Sequence, residues 1–225
     1  MLLLPADAEI IANFVAASEA APEEHHGKLG IMALLAYAGD VEAGQRALAP
    51  FRALATPYAD MLRPMPYPEI YPPEGEEYHP LAIAKTMFVD RVDLSVARTI
   101  MEYLEASDAS MRVAQLRVLG GAMARVPNDA TAFAHRDSKI LVNVAAFYEG
   151  PDDKSIREKW VDDFAAALRQ DDDGAYVNFL GEEGEERIRA AYPGGTWDRL
   201  AAIKAKYDPT NLFRLNWNIP PADAS

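Results

Sequence analysis

Apolar positions recur along the chain with two periods, one helical and one alternating. Ile10, Ile11, Phe14 and Val15 fall on one helical stripe behind Asp7, so the spacing predicts a first helix with Asp7 as its N-cap. Leu29 to Tyr37 (LGIMALLAY) is a short apolar run stopped by Gly39-Asp40, which predicts a buried strand. Val41 to about Leu54 is helical in spacing, with Pro50 expected to break or kink it. Arg63 to Pro80 is rich in proline and predicts an irregular surface loop. Leu94, Ala97, Met101 and Leu104 then mark a helix within Asp93 to Ala106.

Three later segments alternate as strands do: Met111–Leu119, Ile140–Tyr148 and Ala175–Phe179. Between the last two, Ile156, Trp160, Phe164 and Leu168 recur at every fourth residue and define an amphipathic helix. Asp171-Asp172-Asp173-Gly174 predicts a turn without the ligand spacing of a calcium loop. Glu185–Ala191 and Trp197–Tyr207 predict two more helices, and Asp208 to Pro221 an irregular tail. Regular β-α-β alternation is missing. The expected fold is therefore α+β, with a mainly antiparallel sheet and helices packed on one face, over a single unit of residues 1–225.

Alternation also sorts side chains by face. Ala114, Leu116 and Val118 oppose Gln115 and Arg117; Ile140, Val142, Val144 and Ala146 leave Asn143 among Leu141, Ala145 and Phe147; Ala175, Val177 and Phe179 oppose Tyr176 and Asn178. If the strands are neighbours, Gln115, Arg117, Asn143, Tyr176 and Asn178 share the face away from the helices. Such a set suits a ligand-binding surface. It equally suits the solvated face that antiparallel sheets often have.

Composition narrows the function classes. The net charge of −13 disfavours nucleic acid and anionic membrane surfaces as partners, since both select clustered Lys and Arg. Half the residues are hydrophobic, yet no apolar run approaches ~18 residues, so no membrane span is expected. Without cysteine there is no disulfide, zinc-thiolate site or thiol nucleophile, which suits the cytoplasm. The start, Met-Leu-Leu-Leu-Pro, has no basic n-region, so no secretory leader is expected there.

Direct catalytic signatures are missing too, including Gly-x-Gly-x-x-Gly, the P-loop, His-Glu-x-x-His and Gly-x-Ser-x-Gly. His25 and His26 lie in a polar turn and His79 in the proline-rich loop; no metal site is expected. His135, Arg136 and Asp137 predict a charged turn rather than a triad. Gly120-Gly121 after a strand suits a bulge, a tight turn or close approach of backbone to a ligand. The acidic run Glu182 to Glu186 suits the start of a helix.

The tail carries more information. Lys206-Tyr207-Asp208-Pro209-Thr210-Asn211-Leu212-Phe213-Arg214-Leu215-Asn216, followed by Asn218-Ile219-Pro220-Pro221, resembles the ending of berberine-bridge-enzyme-like FAD-linked oxidases of the vanillyl-alcohol-oxidase superfamily. Upstream, Tyr176-Val177-Asn178-Phe179-Leu180 resembles the family's penultimate strand, within a C-terminal segment of residues 175–221. Leu119-Gly120-Gly121-Ala122-Met123-Ala124-Arg125-Val126-Pro127 and Ala130-Thr131-Ala132-Phe133-Ala134-His135-Arg136 resemble its substrate-domain signature. Tyr37-Ala38-Gly39-Asp40 and Ala47-Leu48-Ala49-Pro50 fit as well.

The resemblance implies a substrate-domain sheet that roofs a flavin ring, with substrate between the two. It places Tyr176 and Asn178 near substrate and flavin, with Tyr176 the candidate base, and Asn216 and Asn218 against the flavin. Two positions depart from the pattern: Trp217 stands where many relatives carry Gln, and Phe179 where many carry a Tyr that serves as base. Phenylalanine takes no proton, so Tyr176 would replace it only with a lowered pKa, for which Arg117 is the candidate cause.

Three readings follow. The chain is the substrate-binding half of a flavin oxidoreductase whose FAD-binding domain comes from another chain; or a non-catalytic module that captures a small molecule or self-associates as a homodimer across the same face; or part of a longer enzyme. In each, FAD is expected only with a partner domain, and the isolated chain is expected to be colourless and inactive.

Overall fold

The computed structural model describes residues 8–16, 23–70, 80–181 and 183–223. Its centre is a five-stranded antiparallel sheet in the order β2-β1-β4-β5-β3. The strands are β1 Ala8–Ala16, β2 Leu29–Tyr37, β3 Ala82–Val89, β4 Arg112–Val118 and β5 Ile140–Phe147. The helices are α1 Val41–Arg52, α2 Leu94–Ala106, α3 Gly121–Ala124, α4 Gly150–Leu168, α5 Glu185–Ala190 and α6 Thr196–Tyr207. The expected α+β class and antiparallel sheet are what the structure has.

Helices α2 and α4 cover one face. Ile100 and Leu104 of α2 and Val161, Phe164, Ala165 and Leu168 of α4 pack on Met87, Val89, Ala114, Leu116, Val142, Val144 and Ala146 of the sheet. Tyr103 stacks on Phe164 at 4.7 Å, and Trp160 donates its indole N–H to the Tyr103 carbonyl at 3.1 Å. Each fully buried side chain of this size contributes roughly 1.5–3 kcal/mol by leaving water. The Asp93 carboxylate accepts from the Ser95 and Val96 amides and fixes the start of α2 over this core.

The first predicted helix is a strand. Residues Ile10, Ile11, Phe14 and Val15 lie in β1, which is flanked by β2 and β4; Asp7 lies outside the described residues. Ile10 and Phe14 face the helices while Ile11 and Val15 face the other way, so a strand with apolar residues on both faces imitates a helical stripe. Residues 82–89, to which no element was assigned, form β3 and supply Met87, Phe88 and Val89 to the interior.

The predicted strand Ala175–Phe179 is also corrected. It runs extended to Tyr176 and then turns through a 3-10 helix at Val177–Phe179, packed against β3 rather than hydrogen-bonded into the sheet. Pro50 sits in the last turn of α1, which ends at Arg52 without a break there. Gly120, at φ 132°, occupies backbone space closed to other residues and turns β4 into α3. The Asp171–Gly174 turn is present, closed by the Gly174 amide on the Asp172 carboxylate. Within the acidic run, α5 begins at Glu185, and Glu182 lies outside the described residues.

Candidate functional site

The sheet face away from α2 and α4 is unequally covered. Over β3 and β5 it is closed by the chain from His135 onward: the His135 ring stacks on Phe88 at 4.8 Å, and Leu141 and Phe88 are buried. Over β1 and β2 it is open, leaving Met32 47% and Leu34 50% exposed. The boundary between the two halves runs along β4. There stand two of the residues that alternation selected, Gln115 and Arg117.

Register places Asn13, Gln115, Asn143 and Thr86 in one row across β1, β4, β5 and β3. Arg117 Nε donates to Gln115 Oε1 at 2.8 Å, Gln115 Nε2 to Asn13 Oδ1 at 2.7 Å, and Asn13 Nδ2 to the Met32 carbonyl at 3.2 Å. The sequence of donors fixes both amide orientations. Arginine only donates, so Gln115 must turn its oxygen toward Arg117 and its NH2 toward Asn13. Asn143 and Thr86, next in the row, each hold a buried oxygen without a partner among the described residues.

Tyr176 and Asn178 join this surface from the C-terminal segment. The Asn178 amide donates to the Tyr176 phenol at 2.8 Å. The Tyr176 ring meets Phe179 at 5.6 Å and the edge of Phe133 at 5.2 Å. The Arg117 guanidinium lies over Phe179, 4.9 Å from its centroid. Arg117 thus contacts Gln115 and Phe179, whereas the Tyr176 phenol contacts Asn178.

The tail residues Asn216 and Asn218 are placed elsewhere. Lys204 of α6 bonds Asp208 and the Phe213 carbonyl, and Asp208 accepts from the Leu212 and Phe213 amides, folding the tail back beside α6. These bonds, the Lys204 ammonium first, hold the Asp208 carboxyl below its ordinary value. Asn218 shares a groove with Leu200, Ile203, Tyr207, Phe213 and Leu215. Its Oδ1 is buried without a partner among the described residues, and Asn216 adopts φ 60°. Trp217 packs into a second cluster with Ala175, Leu180 and Ala191.

His135, Arg136 and Asp137 do not act together. His135 is buried with Nε2 at 3.3 Å from the Ala191 carbonyl, and burial pushes its pKa down. Arg136 bonds Met123 O and Thr131 Oγ1, while Asp137 accepts from Asn128. His25 stacks on Tyr58, and no His, Asp or Glu cluster able to hold a metal occurs among the described residues; His79 lies outside them. No helix among the described residues is long and apolar enough to cross a membrane.

Asn13 is the site residue that the sequence reading missed, because its segment was assigned to a helix. The available signal was one amide inside the apolar run IIANFVA.

Residues 175–220 match the family model described as berberine and berberine-like. An uncharacterised FAD-linked oxidoreductase of Bacillus subtilis, YgaK, is 27% identical over 195 residues, covering 85% of this chain and 43% of that protein. A chitooligosaccharide oxidase of Gibberella zeae is 33% identical over 121 residues, covering 48% of this chain and 24% of that protein.

The structures of a berberine-bridge-enzyme-like protein from Arabidopsis thaliana (TM-score 0.71, 21% identity, 99% of this chain and 52% of that one) and of 6-hydroxy-D-nicotine oxidase from Arthrobacter nicotinovorans (TM-score 0.73, 19% identity, 96% and 49%) share the fold. The chain is related to the FAD-linked oxidoreductases of the berberine-bridge-enzyme-like family, whose cofactor is FAD. It spans less than half the length of the curated relatives named here.

Proposed function

We propose that this chain is the substrate-facing half of a flavin-dependent oxidoreductase, completed by an FAD-binding domain supplied by another chain. The half-open sheet face carries the proposal: an ordered polar row stands at the edge of an exposed apolar surface that includes Met32 and Leu34. The tail adds Leu212, Phe213 and Leu215, exposed by 69%, 77% and 85% on a backbone that is firmly bonded. Ordered backbone with large apolar side chains in water marks a docking surface.

The residues present fit a flavin. An isoalloxazine edge offers one N–H donor and two carbonyl acceptors, and the unpartnered oxygen of Asn218, in the groove beside α6, is complementary to that donor. Asn178, Asn216 and Asn218 would hold the ring, which when bound supplies a hydride acceptor. Around it, Gln115, Arg117 and Tyr176 would orient a small-molecule substrate. Phe179 and Leu141 would keep water from it.

Mixing the purified chain with a berberine-bridge-enzyme-like FAD-binding domain tests the reading. A yellow complex that co-elutes on gel filtration and oxidises a substrate neither part oxidises alone is expected. A chain that stays separate and colourless beside such partners refutes it. The second reading, a non-catalytic module that self-associates across the same face, draws on the exposed residues Met32 and Leu34 of β2. It requires a homodimer that buries them.

A further inference from the structure

We propose that Arg117 binds a carboxylate carried by the small-molecule ligand of this sheet face. The proposal rests on the reading of that face as the ligand wall, and adds the charge class of what it takes.

The Arg117 guanidinium is held by two contacts. Its Nε donates to Gln115 Oε1, and its guanidinium carbon lies over the Phe179 ring, 4.9 Å from the centroid. Gln115 is held by Asn13, and Asn13 by the backbone carbonyl of Met32, so the relay is anchored in the sheet itself. The terminal Nη groups, with four N–H donors, have no hydrogen-bond or carboxylate partner among the described residues. Six other arginines are arranged differently. Arg52, Arg63, Arg157 and Arg187 pair with carboxylates, and Arg112 and Arg136 donate to backbone carbonyls.

An ordered guanidinium with a free fork matches a carboxylate, which accepts two parallel N–H bonds in one plane. The surroundings strengthen such a pair. Ile11 and Leu141 are the register neighbours of Arg117 on β1 and β5, so its fork stands in an apolar setting of lower dielectric than water. A neutral polyol would gain less, because it offers no charge to a cation that the chain itself leaves uncompensated.

Titration of the arginine-labelled chain with benzoate and with benzyl alcohol, followed by NMR of the Nε–Hε and methyl signals, tests this. Benzoate should shift the Arg117 signal saturably, and benzyl alcohol should not. Arg117→Gln should weaken benzoate at least about tenfold, and Arg117→Lys should keep part of the affinity. Unchanged far-UV circular dichroism and methyl spectra show that the variants fold.

If both ligands move the Ile11, Leu34 and Leu141 methyls equally while Arg117 stays fixed, the carboxylate assignment fails and the ligand wall stands. Benzoate shifting several arginines in parallel without saturation also overturns the assignment. If neither ligand moves any of these signals, the assignment and the ligand wall both fail.

Discussion

Replacing Asn13 by alanine removes the middle of the relay that holds Arg117. Two neutral hydrogen bonds are lost, to the Met32 carbonyl at 3.2 Å and from Gln115 at 2.7 Å. At about 1 kcal/mol net each, Asn13→Ala should cost about 2 kcal/mol, a sizeable share of the roughly 5–15 kcal/mol that stabilises a domain. Gln115→Ala loses its own bonds and strands the Asn13 oxygen at a position only 4% exposed, so it should cost about the same. The double variant then loses the shared bond once rather than twice.

Urea denaturation of the four proteins should therefore give a coupling of about 1 kcal/mol between the two positions. Arg117 should loosen in all three variants, seen as faster exchange of its Nε–H. Additive losses, with a coupling below about 0.3 kcal/mol, would refute the relay and the immobilised guanidinium built on it.

The buried His135 should make stability pH-dependent. Its native pKa lies below the ordinary 6.5, so the unfolded state binds the proton first; stability is full above about 6.5 and falls as pH drops through the native value. Denaturation at pH 7.5 and 5.5 should show the loss in the wild type and not in His135→Gln. Phe164→Ala, at a side chain with no exposure between Tyr103 and Trp160, should cost about 3–5 kcal/mol, read as a lower urea midpoint at unchanged slope. Phe213→Glu and Leu215→Glu, both on the exposed tail, should leave stability within about 0.5 kcal/mol and abolish co-elution with the flavin domain. Intact co-elution would remove the tail from the docking surface.

The amino-acid sequence by itself determined the elements whose periods are unambiguous. Ile156, Trp160, Phe164 and Leu168 repeat over a long segment with polar residues between them, and α4 follows. Gln115, Arg117 and Asn143 alternate against fully apolar neighbours, and they share the face that alternation assigned. The motif that ends the chain was also legible, because its Asp208 side chain acts on backbone only a few residues away.

Tertiary structure decided the rest. β1 carries apolar residues on both faces, with Ile10 and Phe14 toward the helices and Ile11 and Val15 toward the open face, and period alone does not separate such a strand from a helix. The pairing of Asn13 with Gln115 joins residues 102 positions apart, and the placing of Phe179 beneath Arg117 depends on a 3-10 turn where alternation implied a strand. Local periodicity reports which way a side chain points relative to its own neighbours in sequence. Which distant side chain it then meets depends on strand order and register, and those are set by packing of the whole sheet.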